Sequence, residues 1–306
     1  MLDIFESDLR PMQVWHTKAL DKLEQWAQGK PEGYSTGFRS LDWYCRPMAG
    51  DLILLAARPS QGKTAIAMQM CENIAAQLMR EGDDGCVAIF SAEMPGWSLY
   101  LRMASAASGV NLHELRQGQG TNADMHAMRD AMDRLKSLPI WIDDNSGPTT
   151  AQMLEQLSAL HETTPVRAMM FDFVELGGDR RQNEEQRISA IAQNLKAIAK
   201  TLNIPVIALS QLSRKVEERA NKMPALSDLR YSGMLEQVAD VVMFLMRPEY
   251  YVKRQMSISV PDEDLHGVAY VQVAKNRNGP VGGVRMAFIE ERAKFADLER
   301  FELAVE

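Results

Sequence analysis

Cysteine is scarce in this 306-residue chain: Cys45, Cys71 and Cys86 stand apart, with no C-x-x-C pair. That argues against a disulfide framework and points to buried, reduced thiols in a cytoplasmic protein. The five histidines are scattered, none at ligand spacing from a cysteine or another histidine, so no structural metal is expected. No run of about eighteen uncharged apolar residues occurs, so no transmembrane helix is expected. The opening MLDIFESDLRP lacks the basic start and apolar core of a secretion signal. A basic excess is missing too: the net charge is −7. A nucleic-acid binder usually shows a basic face, so this total counts against one, although a ring can gather its cations in a central pore. There is no internal repeat and no low-complexity tract. What remains is an ordinary soluble composition, 46% hydrophobic and 25% charged, at a length that suits one large domain or two smaller ones.

Residues 11–28, PMQVWHTKALDKLEQWAQ, read as an amphipathic helix with Trp15, Ala19, Lys22, Leu23 and Trp26 near one side. Gly29, Pro31 and Gly33 break it, and the main domain is expected from Ser35. The pattern then alternates. Apolar runs at 52–57, 86–92, 167–173, 204–210 and 239–246 are too apolar for half-exposed strands and suit a mainly parallel sheet covered on both faces. Between them, Ile66, Met70, Ile74 and Leu78 repeat every four residues after Lys63. Further helices are expected over about 149–162, capped by Thr149 or Thr150, and over about 184–202. This is the pattern of an α/β domain with right-handed crossovers. Residues 267–289 alternate, break at Asn278-Gly279 and resume, which signals a β-hairpin. The polar, acidic 254–267 stretch is expected to be a mobile loop.

The stretch LILLAARPSQGKT (52–64) has the make-up of a phosphate-binding loop, except that Ala57 occupies the first glycine position of G-x-x-x-x-G-K-[ST]. Such a loop needs a strand, a turn with inward-pointing N–H groups and a helix starting beneath the phosphates. Ser60, Gln61 and Gly62 form the turn. Lys63 is placed to reach the β- and γ-phosphates, and the Thr64 hydroxyl to hold Mg²⁺. Ala57 is tolerable if its φ is negative, because backbone N–H groups make the cradle. Asp172 ends a buried strand, where α/β sheets place ligands, and suits the Mg²⁺ side of the site. Glu93 and Gln211 also end predicted strands. Glu93 could polarise an attacking water and Gln211 could sense the γ-phosphate, but each alone also fits a solvated residue after a strand. Lys275 and Arg277 share a face of a strand near the hairpin turn. They could guard a sheet edge, or reach a neighbouring subunit's γ-phosphate; spacing does not choose.

Six motifs in order, AARPSQGKT, FSAEMP, MFDF, PVIALSQLSR, LSDLRYSGMLEQVADVVMF and KNRNGPVGGVRMAF, resemble the C-terminal RecA-like motor domain of DnaB-type replicative helicases over residues 35–292. Ala at position 57 is usual in that family. The resemblance implies a RecA-like P-loop ATPase fold with a mainly parallel sheet flanked by helices, a C-terminal β-hairpin and an N-terminal linker helix. It implies a ring, generally of six subunits, with Mg²⁺-ATP between neighbours, moving 5′ to 3′ on single-stranded DNA. By motif match, Lys63 and Thr64 bind phosphate and Mg²⁺, Glu93 is the base, Asp172 the metal-side carboxylate and Gln211 the γ-phosphate sensor. Lys275 and Arg277 then serve the adjacent subunit's ATP. SDLRYSG matches the family's DNA-tracking pore loop, so Arg230 and the backbone near Tyr231, Ser232 and Gly233 are expected to grip phosphates.

Three departures stand out. Tyr231 replaces a frequent carboxylate, and Glu175 replaces a common Gln. The helical N-terminal domain that forms a collar and meets primase is not in the sequence; residues 1–34 look instead like the linker helix, expected to pack on the next subunit. Such a short form suits a phage or plasmid replicon, and a piece of a longer helicase would look the same. A helicase loader and primase are the partners the family brings with it. Two other classes share the fold and phosphate loop: a RecA-like filament protein that coats DNA without unwinding it, and a regulatory ATPase that does not touch DNA. The pore-loop and KNRNGP matches favour the helicase.

Overall fold

Every residue of the run Leu52–Ala57 is buried, because the strand it forms is covered on both faces. The computed structural model describes residues 11–219, 221–229, 233–261 and 264–298. By its contacts the chain divides into two units, 1–33 and 34–306. In the first, α1 (Met12–Ala27) buries none of its residues; Trp15, Leu23 and Trp26 are each about half exposed.

The second unit opens with a short helix, α2 (Arg39–Asp42), then β1 (Leu52–Ala57) and α3 (Lys63–Glu81). Next come β2 (Cys86–Ser91), the helices α4 (Gly96–Ser108), α5 (Leu112–Arg116) and α6 (Asn122–Leu135), and β3 (Ile140–Asp143). The strand–helix alternation resumes with α7 (Thr150–Thr163), β4 (Val166–Asp172), α8 (Glu184–Leu202) and β5 (Val206–Gln211). The last third holds α9 (Gly233–Val238), β6 (Val241–Met246), α10 (Pro248–Lys253), β7 (Val268–Asn276), β8 (Gly282–Ile289) and β9 (Lys294–Asp297).

Among the described residues nine strands form one sheet in the order β3-β2-β4-β5-β1-β6-β7-β8-β9. From β3 to β6 all neighbours are parallel, and the β6, β7, β8 and β9 pairings are antiparallel. Alternation along β1 feeds two cores. Ile53, Leu55 and Ala57 pack with Ile66, Met70, Ile74 and Leu78 of α3, while Leu52, Leu54 and Ala56 share a core with Ile188, Ile191, Leu195 and Ile198 of α8. Burial on both faces removes the in–out alternation of a half-exposed strand, so these segments read as continuous apolar runs. Thr149 caps α7 in a reciprocal box with Gln152, and Asn183 caps α8. The three cysteines are buried and unpaired.

The region between Glu93 and Thr149, which periodicity left unassigned, holds α4, α5, α6 and β3. β3 escaped notice because it is a four-residue edge strand with Trp141 and Ile142 exposed. The 254–267 stretch is irregular where described, yet it is anchored: Asp264 is buried and accepts from the Tyr270 hydroxyl and the Arg285 guanidinium. Among the described residues no helix is long and apolar enough to cross a membrane.

Candidate functional site

Strand order decides what meets at the loop. β2, β4, β5 and β1 are consecutive in the sheet, so the residues at their carboxyl ends converge. In register, Ser91 faces Asp172, and Ala57 faces Gln211. Glu93, two residues past Ser91, Asp172, Gln211 and the 58–64 loop therefore share one edge of the sheet, where open α/β sheets bind ligands.

The loop turns through Ser60 (φ 65°) and Gly62 (φ 97°) before α3 begins at Lys63. A Cβ on Gly62 would stand 3.0 Å from Phe295 Cζ, so this turn requires glycine. Ala57 is not among the residues with positive φ, which satisfies the condition for accepting alanine at that position. The Lys63 side chain is nearly buried. Its Nζ lies 3.1 Å from Asp172 Oδ1 and 3.8 Å from Glu93 Oε2, and 4.2 Å from the centre of the Phe173 ring. The Thr64 hydroxyl donates to Asp172 Oδ2 at 2.7 Å. Asp172 is fully buried and Glu93 is exposed, so one carboxylate is held within the protein and the other opens to water.

Three further residues join this site: Gln61, expected as part of the turn; Glu175, whose role the sequence left open; and Arg247, which sequence reasoning missed. Gln61 is buried; its Oε1 accepts the Arg247 N–H at 2.6 Å, and its Nε2 has no partner. Arg247 lies against the Phe288 ring and donates to the Ser60 carbonyl at 3.3 Å, clamping the loop from β6. Burial lowers its pKa, and Glu290 opposes that. Glu175 is partly buried beside the Gln211 strand: its Oε1 accepts from the Ser210 hydroxyl at 2.6 Å and the Gln211 N–H at 3.0 Å, while its buried Oε2 has no partner. Burial raises its pKa. Glu175 thus braces the strand end that carries Gln211. The clue for Arg247 was a cation closing the apolar run of β6; sequence spacing could not show that it faces the loop.

Lys275 and Arg277 stand elsewhere. Asn276 pairs with Val241, where β6 begins, whereas the loop lies past Ala57, where the parallel strands end. At ~3.3 Å per residue the two cations are roughly 15 Å or more from their own loop. Instead, Lys275 Nζ donates to the carbonyls of Glu236, Gln237 and Ala239, and Arg277 to the Gln237 carbonyl and Asp240 Oδ1. Arg230, Tyr231 and Ser232 lie outside the described residues; Gly233 opens α9 and is exposed.

A model of the DnaB-like helicase C terminal domain matches residues 33–297. "Replicative DNA helicase DnaC" of Bacillus subtilis (strain 168) is 40% identical over 289 residues, covering 92% of this chain and 60% of the relative. "Replicative DNA helicase DnaB" of Geobacillus stearothermophilus is 40% identical over 279 residues, covering 89% and 58%. A solved structure described as an ATPase domain superposes with a TM-score of 0.85 at 31% identity, covering 95% of this chain and 100% of that one. "The Structure Of A DnaB-Like Replicative Helicase And Its Interactions With Primase" gives 0.80 at 31%, covering 96% and 68%. The chain spans about three fifths of the length of these curated relatives.

Proposed function

This chain belongs to the DnaB-like helicase C-terminal domain family, and from that premise we propose that it is the motor of an ATP-driven replicative DNA helicase. In this reading it forms a ring, of six subunits by resemblance, that moves 5′ to 3′ on single-stranded DNA and unwinds duplex. The observation that carries the reading is the convergence of Lys63, Thr64 and Asp172 within hydrogen-bond reach, with Glu93 beside Lys63 and Gln211 on the neighbouring strand.

The loop amides around Ser60, Gln61 and Gly62 cradle the phosphates of ATP at the amino end of α3. Lys63 leaves its carboxylate partners for the β- and γ-phosphates. A magnesium ion fits the donors present: a hydroxyl and a buried carboxylate converge at Thr64 and Asp172. Bound there, it would neutralise charge on the β- and γ-oxygens. Glu93, exposed to water, orients and deprotonates the attacking water, and Gln211 contacts the γ-phosphate.

Lys275 and Arg277 are too far from their own loop to complete it, which supports their service to a neighbouring subunit's ATP. Such a contact is heterologous, so repeating it generates a ring where the rotation closes. The exposed Trp15, Leu23 and Trp26 of α1 give the arm an apolar face for the adjacent subunit. Arg230 and the backbone from Tyr231 to Gly233 grip DNA phosphates, which carry little sequence information. A loader and a primase are the further partners; the interaction with primase is named for a structural neighbour.

The test is steady-state ATP hydrolysis across protein concentration, with and without single-stranded DNA, followed by forked-duplex unwinding. A specific rate that climbs with concentration, rises again with DNA and is accompanied by unwinding is expected. A rate flat in concentration and blind to DNA refutes the reading.

A further inference from the structure

Arg277 stands on a turn that is fastened to its own subunit from several sides. Asn276 Nδ2 donates to the Tyr44 carbonyl at 2.7 Å, and Asn278 Nδ2 to Asp51 Oδ1 at 3.3 Å. The Arg277 N–H donates to the Asp240 carbonyl at 2.9 Å. Packing is close as well: a Cβ on Gly282 would run into the Tyr44 ring. The turn between β7 and β8 is therefore seated on the 44–51 loop that leads into β1.

Asp240 joins the Arg277 side chain to that seat. It is buried, and its two oxygens take different partners. Oδ2 accepts from the Leu52 N–H at 2.8 Å and from Lys196 Nζ at 2.6 Å, while the Asp240 N–H returns to the Leu52 carbonyl at 2.9 Å. Lys196 also donates to the Gly50 carbonyl at 2.7 Å. The carboxylate is thus mounted on the start of β1, the strand that ends at the phosphate loop. Its Oδ1 accepts from Arg277 Nη1 at 3.1 Å. A buried carboxylate is costly unless both oxygens are satisfied, so Arg277 completes a set that Leu52 and Lys196 begin.

A guanidinium carries five N–H groups. Arg277 engages two of them, with Asp240 Oδ1 and with the Gln237 carbonyl, and three remain on a side chain about half exposed. It can therefore hold Asp240 and a phosphate at the same time. A planar fork pinned on one side has a fixed direction for its other side, and loses less rotamer freedom when a phosphate arrives. We propose that Asp240 is a positioning residue for hydrolysis in the neighbouring subunit: it anchors the Arg277 guanidinium on the start of β1 and aims the remaining N–H groups at that neighbour's γ-phosphate. This rests on the reading that Arg277 acts in trans. Lys196 serves the same end by neutralising the inner oxygen of the carboxylate.

The test is ATP hydrolysis by mixed rings of the full chain, with Mg²⁺ and single-stranded DNA. Asp240→Asn keeps an acceptor but loses the charge that holds the guanidinium. Its kcat should fall about 10²-fold, the effect of a misplacement of about 1 Å, while KM for ATP stays within about twofold because its own phosphate loop is intact. Mixed in equal amounts with Lys63→Ala, Asp240→Asn should recover roughly a quarter of wild-type turnover, since about one interface in four joins an intact Lys63 to an Arg277 on an intact mount. Mixed with Arg277→Ala it should recover nothing, because both lesions lie on the same side of the interface. A general structural role would not sort the variants in this way. Asp240→Asn leaves Lys196 without its anionic partner, so Asp240→Asn/Lys196→Met, which removes both, is the second variant and should sort identically. A wild-type kcat for Asp240→Asn, recovery with Arg277→Ala, or no recovery with Lys63→Ala under conditions where Lys63→Ala and Arg277→Ala do complement, overturns the proposal and leaves Arg277 in trans. If Lys63→Ala and Arg277→Ala themselves recover no hydrolysis, the trans reading fails first and the positioning role falls with it.

Discussion

Replacing Arg277 by Ala separates a residue's own site from the site it serves. The Arg277 side chain is about half exposed and makes one ion pair, to Asp240, plus a hydrogen bond to the Gln237 carbonyl. A half-exposed pair is worth about 0.2–1 kcal/mol, so the fold should survive, with Tm lower by no more than about 4 °C. ATP binding should survive too, because the residue stands where β6 begins and the phosphate loop stands past the end of β1. Hydrolysis should fall by about 10³-fold or more, the range for a lost arginine finger, equivalent to about 4 kcal/mol of transition-state stabilisation. The decisive assay mixes Arg277→Ala with Lys63→Ala in equal amounts. Each protein alone is inactive, but in random mixed rings about one interface in four joins an intact Lys63 to an intact Arg277, so roughly a quarter of wild-type turnover should return. A mixture as inactive as its parts, or an Arg277→Ala ring that hydrolyses at the wild-type rate, refutes the assignment in trans.

Two further substitutions probe the loop and the core. Gly62→Ala places a Cβ at φ 97° and 3.0 Å from Phe295 Cζ; the strain of about 1–2 kcal/mol should lower Tm and weaken binding of a fluorescent ATP analogue about tenfold, and unchanged binding would show that the turn relaxes freely. Burial in α3 raises the Glu72 pKa from 4.5 to about 7, with Lys294 opposing. The folded state then binds the Glu72 proton more tightly than the unfolded state, so stability declines as pH rises from the ordinary carboxylate range through about 7. Glu72→Gln lacks this loss, so the variant's Tm minus the wild-type Tm should increase between pH 5 and pH 8; a difference constant with pH would contradict the buried-carboxylate account.

The legible parts of the fold were those governed by local periodicity or by a forced backbone. Leu52–Ala57 is apolar throughout because α3 and α8 cover its two faces, and that shows in six letters. The helix Glu184–Leu202 shows its buried Ile188, Ile191, Leu195 and Ile198 at helical spacing, beginning after a capping Asn183. Thr149 announces its helix through the box with Gln152. The half-exposed β3 and the helices α4, α5 and α6 carry weaker signals, since an edge strand with Trp141 outside has no apolar run to betray it. In the candidate site, Lys63, Thr64 and Asp172 were legible as chemistry at strand ends. Arg247 and Glu175 were not, because their importance lies in what they face.

The sequence alone determined the strand–helix alternation and the phosphate loop with alanine at its first glycine position, each carried by residues close together along the chain, and the family, carried by six such short motifs in order. Tertiary structure decided which strand ends are neighbours. The order β2-β4-β5-β1 brings Glu93, Asp172 and Gln211 to the loop, the last two across more than a hundred residues of sequence, and the antiparallel turn of β7 sends Lys275 and Arg277 to the opposite edge. Strand pairing over such separations is set by which cores can close on both faces of the sheet at once. That property belongs to the assembled chain, which no single segment encodes.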